Sequence, residues 1–368
     1  MKYRLGELIE SVSKTYDLKN KKSVTFVNTG DVFDGSISGN ETKIKDLPGQ
    51  AKKSIELNDI LFSEIRPKNK RFALVTGIDP KNYVVSTKLM VLRNKNNLVL
   101  DTNYLYFYLT SPLMLAYFQS EAESRSGTFP QITFRENVAN IKIDLPPLIE
   151  QRKIVQRLSV VNDKVKLNNQ INDNLIAISK AKWLDLLSST STTEVSMNKI
   201  AKITMGQSPK SSTYNTNNEG LPLLNGATDF RENINPQRWT SDPKRVVYPN
   251  SYIFGVRATI GLTTKVYQKY AIGRGTGAAT PINIIYDEFL YFYLEDLFKF
   301  YSQTGSGSVY INISKKEFEN YKIDVPKISF IEQFHSEINP LFNQIKNNKL
   351  QNITLLQIKN DMLNKYFQ

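Results

Sequence analysis

Residues 148–187 read LIEQRKIVQRLSVVNDKVKLNNQINDNLIAISKAKWLDLL and carry one regular stripe of positions. Steps of four and three residues connect the positions of this stripe, which are Ile154, Leu158, Val161, Val165, Asn168, Asn172, Leu175, Ser179, Lys182 and Leu186. Such spacing over more than four heptads is typical of the seam of a coiled coil. A proline pair before the segment and Glu150 in its first turn predict a helix start. The stretch therefore predicts a long helix that packs lengthwise against a partner.

A second stripe follows the first at an offset of 180 residues. Its positions are Phe334, Ile338, Leu341, Ile345, Asn348, Asn352, Leu355, Lys359, Met362 and Tyr366. Both stripes are apolar towards their ends and carry two asparagines in the middle, which predicts that the two helices pair with each other. The antiparallel pairs expected are Asn168 with Asn352, Asn172 with Asn348, Val165 with Leu355, Leu175 with Ile345, and Leu158 with Met362.

Two interpretations of the central asparagines remain open. Buried seam asparagines lower stability but penalise slipped registers, because a slip sets an amide against an aliphatic side chain. The alternative is that they are exposed where another subunit packs. Pro340 adds a separate question, because it predicts either a kink in the second helix or a later start.

The sequence upstream of the two stripes also repeats. The matching segments are 142–146 with 322–326, 149–151 with 331–333, 106–109 with 291–294, 126–128 with 306–308, and 60–66 with 252–257. Five matches in the same order indicate a duplicated unit of about 180 residues.

The repeat divides the chain into four segments. Globular domains are expected at 1–146 and 191–326, and long helices at 147–190 and 327–368. Short β-rich runs, Tyr83–Ser86 and Leu89–Leu92, alternate with loops rich in Gly, Asn and Pro. Amphipathic helices are expected at 104–118 and 288–301. The predicted fold class is α+β: two mixed α/β domains separated by two long helices that pair as an antiparallel coiled coil.

The predicted helices imply a spacing. A helix of about 35–40 residues is roughly 55 Å long at 1.5 Å per residue. Paired helices of that length are expected to hold the two domains apart. Two similar domains at a fixed separation suit a target with two half-sites.

Composition restricts the partners and the chemistry. Lys and Arg total 48 against 35 Asp and Glu, and the formal charge of +13 favours nucleic acid or an anionic membrane surface. The absence of cysteine excludes disulfides, thiolate zinc sites and cysteine nucleophiles. Charges near the N-terminus argue against a signal peptide, and no apolar run is long enough to span a bilayer. These features predict a soluble cytoplasmic protein that does not contact membranes.

Sequence patterns argue against a catalytic or metal site in this chain. Asn339–Phe342 is the segment nearest to the Asn-Pro-Pro-aromatic loop of adenine methyltransferases, but it lacks the second proline and falls on the helical stripe. His335 is the single histidine, expected as a solvated residue in the first helical turn, so His-based metal clusters are excluded. Gly273–Gly277 fits either a phosphate or cofactor loop or, as we favour, a loop that carries Arg274 towards DNA.

Candidate DNA contacts are loops that combine basic residues, which bind phosphates, with polar or aromatic side chains, which read bases. In the first domain these are Lys21, Lys22, Arg66, Lys68, Lys70, Arg71, Arg125, Thr128 and Gln131. In the second domain they are Gln207, Ser208, Lys210, Ser211, Tyr214, Arg238, Lys244, Arg245, Arg257, Arg274, Ser308, Tyr310 and Asn312. Arg66 and Arg257 occupy matching positions, and each is either a phosphate contact or an ion-pair partner.

Three motifs resemble those of one family. Leu145–Val155 resembles the Pro–Pro–Leu–x–Glu–Gln–x–x–Ile entrance to the first conserved helix of specificity subunits of Type I restriction–modification systems. Met205–Pro209 is similar to the opening of many of their target-recognition domains. The second helix entrance, Val325–Gln333, departs from the first by two extra residues, so its register is less firmly defined.

The resemblance implies a division of labour. Each target-recognition domain would read one half of a split double-stranded DNA sequence, with the paired helices as spacer. Two DNA methyltransferase subunits would dock on the helices, and motor-nuclease restriction subunits would complete the complex. S-adenosylmethionine, ATP and magnesium would belong to those partners, with no cofactor bound by this chain. A single-chain DNA methyltransferase or nuclease, and a basic scaffold for RNA or membranes, remain as alternatives.

Overall fold

The structure is a computed structural model that describes residues 2–125, 130–231, 234–256, 260–304 and 314–367, without the side chains of residues 125 and 302–304. It folds as two compact units. One unit comprises Met1–Lys166 and Asn352–Gln368, and the other comprises Leu167–Gln351. Each long helix contributes one part to each unit.

The first unit contains a mixed α/β domain. Its strands are β1 (Lys2–Arg4), β2 (Ile9–Ser11), β3 (Ser23–Val27), β4 (Val32–Phe33), β5 (Ser36–Ile37), β6 (Asn40–Lys43), β7 (Ala51–Lys53), β8 (Ile60–Ser63), β9 (Phe72–Leu74), β10 (Tyr83–Ser86), β11 (Leu89–Asn94) and β12 (Lys142–Asp144). Its helices are α1 (Leu5–Leu8), α2 (Thr102–Leu109) and α3 (Pro112–Arg125), followed by the long α4 (Leu148–Ser189). Two four-stranded sheets form, in the orders β6-β3-β10-β7 and β2-β11-β8-β9.

The second unit contains a domain of the same kind. Its strands are β13 (Thr192–Ser196), β14 (Ala201–Met205), β15 (Tyr214–Asn215), β16 (Leu221–Leu224), β17 (Arg238–Thr240), β18 (Val246–Val247), β19 (Tyr252–Val256), β20 (Ile260–Lys265), β21 (Tyr270–Ile272), β22 (Thr276–Pro281) and β23 (Lys322–Pro326). Its helices are α5 (Asp287–Thr304) and α6 (Lys315–Asn320), followed by the long α7 (Ile328–Phe367). The sheets have the orders β14-β22-β19-β20 and β15-β17-β16-β21-β18.

Strand order shows that the two domains are copies of one design. The sheet β2-β11-β8-β9 corresponds element by element to β14-β22-β19-β20. In the other sheet, β3 pairs with β10 in parallel, and β16 pairs with β21 in the same way. The second domain adds the strand β15 at one edge. The duplication predicted from the sequence is confirmed.

Each domain is closed by a two-stranded antiparallel sheet. β1 pairs with β12, with Lys2 opposite Asp144. β13 pairs with β23 in the same way, with Thr192 opposite Pro326. The first and last strands of each domain therefore lie side by side, next to the point where the following long helix begins.

The single helix expected over residues 104–118 is divided in two. α2 ends at Leu109 and α3 begins at Pro112. Proline has no N–H to donate and disfavours the helical conformation of the residue before it, Ser111. The Ser111 hydroxyl instead accepts a hydrogen bond from the Met114 N–H at 3.3 Å. In the second copy a buried leucine, Leu297, occupies the position of Pro112, and α5 runs without a break.

α7 begins at Ile328, so the later start that Pro340 allowed is wrong. The turns before Pro340 form because Ile331, Phe334 and Ile338 are buried in the core of the second unit. Burial of three such side chains stabilises the helix by about 4–9 kcal/mol. That gain exceeds the roughly 3 kcal/mol that a proline inside a helix costs. Among the described residues, no helix is long and apolar enough to cross a membrane.

Within the first unit, the N-terminal part of α4 lies beside the C-terminal part of α7. The Arg157 guanidinium donates a hydrogen bond to the Tyr366 hydroxyl at 3.0 Å, and the Lys359 ammonium donates to Asn162 Oδ1 at 3.0 Å. Residue numbers rise along one helix as they fall along the other, so the two segments are antiparallel.

Within the second unit, the remaining halves of these helices are also antiparallel. Asn348 Nδ2 donates to Asn172 Oδ1 at 2.8 Å, and Lys182 forms an ion pair with Glu337 at 2.6 Å. All four seam asparagines are less than a tenth exposed, so the interpretation that they are exposed is wrong. Among the residues of the five predicted pairs, those that are buried are Leu158, Asn168, Asn172, Ile345, Asn348 and Asn352, and those that are half-buried are Val165, Leu175, Leu355 and Met362.

Candidate nucleic-acid interface

A strained basic loop connects β8 to β9 in the first domain. Arg66 and Lys70 have left-handed φ angles of 46° and 54°, which non-glycine residues rarely adopt. The Arg66 N–H donates to the Pro130 carbonyl at 3.0 Å, and the Lys68 N–H donates to Gln119 Oε1 at 3.1 Å. These bonds hold the loop in place while the side chains of Arg66, Lys68 and Lys70 stay exposed.

The charged side chains of this loop differ in what they contact. Lys68 pairs with Glu123 at 3.7 Å and Lys70 with Asp34 at 3.4 Å. Such exposed pairs contribute little and can exchange for phosphate contacts. The Arg71 guanidinium instead donates to the Gly30 carbonyl at 2.7 Å, so Arg71 fastens a neighbouring turn.

Two other predicted positions of the first domain lie in different places, Gln131 next to this loop and Lys22 in a separate cleft. Gln131 is exposed and forms a β-bridge with Ile65, which places it next to the loop. Lys22 lines an open cleft of about 550 Å³ together with Lys43 and Lys45. Sequence reasoning missed these two lysines because they join Lys22 only through the pairing of β3 with β6.

Lys21 has a more local role than predicted. Its ammonium donates to the Lys81 carbonyl and lies 5.4 Å from the centre of the Tyr16 ring. A cation over an aromatic face gains about 0.5–1 kcal/mol at such a site. Lys21 therefore fastens the turn before β10 to the loop before β3.

The glycine-rich segment of the second domain is a junction between two loops. A Cβ at Gly273 would lie 1.9 Å from Asn225 Oδ1, and one at Gly206 would lie 2.1 Å from the Gly273 carbonyl oxygen. The obstacle is a backbone carbonyl at Gly206 and the Asn225 side chain at Gly273, so close packing between the two loops accounts for glycine at both positions. The Arg274 N–H donates to Ser208 Oγ at 3.3 Å, and the Arg274 side chain is exposed.

A cleft of about 310 Å³ lies beside this junction. It is lined by Tyr214, Leu223, Asn225, Gly226, Thr228, Asp229, Gln237 and Arg238. Two of these, Tyr214 and Arg238, were predicted from the sequence. Asn225, Asp229 and Gln237 were missed, because a search for clusters of basic residues passes over acidic and neutral ones.

The polar groups of the cleft are held in fixed positions. Asp229 Oδ2 accepts a hydrogen bond from the Asn225 N–H at 2.7 Å. Partial burial raises the pKa of Asp229, while backbone N–H groups and the charge of Arg238 oppose that rise. The Arg238 guanidinium lies 6.0 Å from the centre of the Tyr214 ring. Both residues stand on paired strands, β17 and β15.

The other described candidates of the second domain lie on the surface around this cleft and loop. Gln207, Lys210, Ser211, Lys244 and Arg245 are exposed. Lys244 pairs with Asp242 at 2.6 Å, and the Arg245 carbonyl accepts a hydrogen bond from the Ile272 N–H, next to the glycine junction. The predicted positions Thr128, Arg257, Ser308, Tyr310 and Asn312, and the side chain of Arg125, lie outside the described residues.

His335 is not the solvated residue that was expected. It lies beyond the first turn of α7, and its Nδ1 is 2.6 Å from Oε2 of Glu288, a fully buried residue at the start of α5. Asn339 donates to the other oxygen of Glu288 at 2.9 Å. Asp287, the residue before Glu288, is paired with Lys265. Asn339 therefore lies inside α7 and joins that helix to α5. The Asn-Pro-Pro-aromatic motif of adenine methyltransferases, in contrast, is a loop.

Comparisons with known proteins point to one family. The model of the Type I restriction modification DNA specificity domain matches residues 1–176 and again 191–355. The chain is 44% identical over 180 residues to the Type I restriction enzyme HindI specificity subunit of Haemophilus influenzae, an alignment that covers 49% of this chain and 39% of that protein. The aligned part thus spans less than half of that relative.

Two further relatives are similar over more of their length. A putative Type I restriction enzyme MjaX specificity subunit of Methanocaldococcus jannaschii is 28% identical over 306 residues, covering 76% of this chain and 70% of that protein. The crystal structure of a Type-I restriction-modification system S subunit from M. genitalium has a TM-score of 0.55 at 15% identity, covering 100% of this chain and 96% of that one, which supports a shared fold. Because the family model matches both halves of the sequence, this chain belongs to the family of Type I restriction modification DNA specificity domains.

Proposed function

We propose that this chain is a DNA-recognition subunit in which each domain reads one half of a bipartite double-stranded target. The observation that carries the proposal is the double match to one specificity-domain family, on two domains with the same strand order. Both domains present exposed basic and polar loops, and the chain has a net charge of +13. Lys and Arg on such loops neutralise phosphates, and polar side chains beside them read bases.

The proposal assigns spacing to the paired helices. α4 has 42 residues, which corresponds to about 63 Å at 1.5 Å per residue. Its seam contains buried asparagines that form hydrogen bonds to α7, such as the pair Asn172–Asn348. An amide pair in an apolar seam favours one register, and one register would give one half-site spacing.

The proposal places the chemistry in other subunits. Two methyltransferase subunits would dock on this chain, and motor-nuclease restriction subunits would complete the assembly. S-adenosylmethionine, ATP and magnesium would serve those partners. Support comes from the relatives, which are named as specificity subunits of restriction enzymes, and from the helical position of Asn339, the residue nearest to a methyltransferase motif.

Co-expression with the methyltransferase subunit of a Type I restriction–modification system from the same genome tests the proposal. Mapping of methylated adenines across the host genome should yield one bipartite motif with a fixed spacer. The purified chain alone, incubated with labelled S-adenosylmethionine and the same DNA, should transfer no methyl groups. Methylation without a bipartite motif, or transfer by the isolated chain, would contradict the proposal.

A further inference from the structure

The cleft between β15, β17 and residues 225–229 combines groups of opposite charge. Arg238 and Asp229 both line it, together with the neutral polar residues Gln237 and Asn225. A DNA backbone offers only anionic phosphates along this surface, and a carboxylate repels them. The Asp229 carboxylate therefore disfavours phosphate binding in this cleft. It fits the exocyclic amino group of a base, for which a carboxylate is an acceptor.

The two charged groups are oriented before any ligand arrives. The Asp229 carboxylate is fixed by the Asn225 N–H at 2.7 Å, and its backbone carbonyl accepts a further hydrogen bond from Asn235 at 2.8 Å. Arg238 lies on β17, an inner strand of its sheet, and its guanidinium faces the Tyr214 ring. Groups held by strands and short backbone bonds position a ligand better than groups on free loops.

We propose that this cleft reads a G·C base pair in the half-site of the second domain, with Arg238 donating to guanine and Asp229 accepting from cytosine. The inference rests on the proposed DNA-reading function. In the major groove, guanine presents O6 and N7 as two acceptors that match the fork of an arginine. Cytosine presents its N4 amino group, which matches a carboxylate. One arginine and one aspartate on the same cleft thus complement both bases of the pair.

The test compares variants in the complex of the full chain with its methyltransferase. Asp229→Asn and Arg238→Ala should each lower discrimination at one G·C position of the target by about five- to 150-fold, with the other positions unchanged. Discrimination is measured by competition binding with duplexes that carry each single base-pair change. Two matched controls are Asp242→Asn and Lys244→Ala, an exposed pair outside the cleft. The first should leave the motif unchanged, and the second should weaken binding to all duplexes alike.

A modified base tests the arginine contact without changing the protein fold. Replacing the specified guanine by 7-deazaguanine removes the N7 acceptor but keeps the base pair. The wild-type complex should bind this duplex more weakly, and the Arg238→Ala complex should bind both duplexes equally. Equal sensitivity of the two complexes would overturn the proposal.

Other outcomes separate this inference from the proposed function. A wild-type complex that yields no bipartite motif would refute both. A clear motif with no G·C pair in either half-site would refute the cleft assignment alone. So would variants that weaken every duplex equally, or that relax an A·T position, which would assign the cleft to adenine through Gln237 or Asn225.

Discussion

The buried pair Asn172–Asn348 offers a direct test of how the helix seam is stabilised. The two amides share a hydrogen bond of 2.8 Å, and each side chain is less than a tenth exposed. Replacing Asn172 by leucine leaves the Asn348 amide buried without its acceptor, at a cost of about 1–3 kcal/mol. Asn348→Leu leaves Asn172 Oδ1 buried without its donor, at a similar cost of about 1–3 kcal/mol. The double variant removes both polar groups, and two leucines at heptad positions pack as other seam residues do.

A double-mutant cycle isolates this effect. The gain from burying each leucine enters the single and double variants alike and cancels from the cycle. The sum of the two single effects should therefore exceed the effect of the double variant by about 2–6 kcal/mol, the two single costs together, which is at least about 25-fold in the opening equilibrium of the seam. Hydrogen exchange of amides in residues 167–189 and 328–351 measures that equilibrium locally.

Asn174 and Asn347 form a matched control, because both lie on the same helices and are exposed. Leucine at these positions should change the free energy of opening, measured by hydrogen exchange, by less than about 0.5 kcal/mol. The two effects should also be additive. If the seam pair also proves additive within about 0.5 kcal/mol, the hydrogen bond is not the source of coupling between the helices, and the reasoning fails.

Three further predictions concern the domains and the helix ends. Gly273→Ala places a Cβ against Asn225 and should destabilise the second domain by about 1–3 kcal/mol in urea unfolding, so an unchanged midpoint would contradict the tight junction. Gln151 is fully buried and makes three hydrogen bonds of 2.8–2.9 Å, so Gln151→Ala should cost about 1.5–4.5 kcal/mol, measured in the same way, and a loss below 0.5 kcal/mol (about the error of the method) would refute that role. Burial lowers the pKa of Lys359, so the unfolded chain binds more protons than the folded chain between that lowered pKa and the ordinary 10.5, and the free energy of unfolding should rise with pH across this range. Lys359→Met should flatten this rise, and an equal slope in both proteins would contradict it.

The long helices and the duplication were readable from the sequence because their signals are local or periodic. Heptad spacing depends on residues three and four apart, and the repeated segments keep their order along the chain. The break between α2 and α3 was also encoded locally, by Pro112, but the apolar pattern on both sides concealed it. The turns before Pro340 illustrate the reverse case, in which burial in the core overrides a local helix breaker.

The candidate sites were predictable by residue type but not by role. Arg71 and Lys70 are adjacent and both basic, yet Arg71 fastens a turn through a backbone carbonyl while Lys70 remains exposed. The cleft with Asp229 and Arg238 was not predictable from the sequence. It forms because β16 pairs with β17, and the residues that this pairing brings together do not share a charge or a residue type. His335 was misjudged for the same reason, since its partner Glu288 lies on another helix.

The pairing of β1 with β12, and of β13 with β23, means that each domain is attached to the rest of the chain at a single place. A segment whose two ends meet can be exchanged as a cassette. Under the proposed function, recombination between relatives inside 2–144 or 192–326 would replace the half-site that one domain reads while the long helices keep their sequence. A new target would then need one crossover on each side of a domain, with no change in the helices to which the proposal assigns the spacing. Specificity would change by a whole half-site at once.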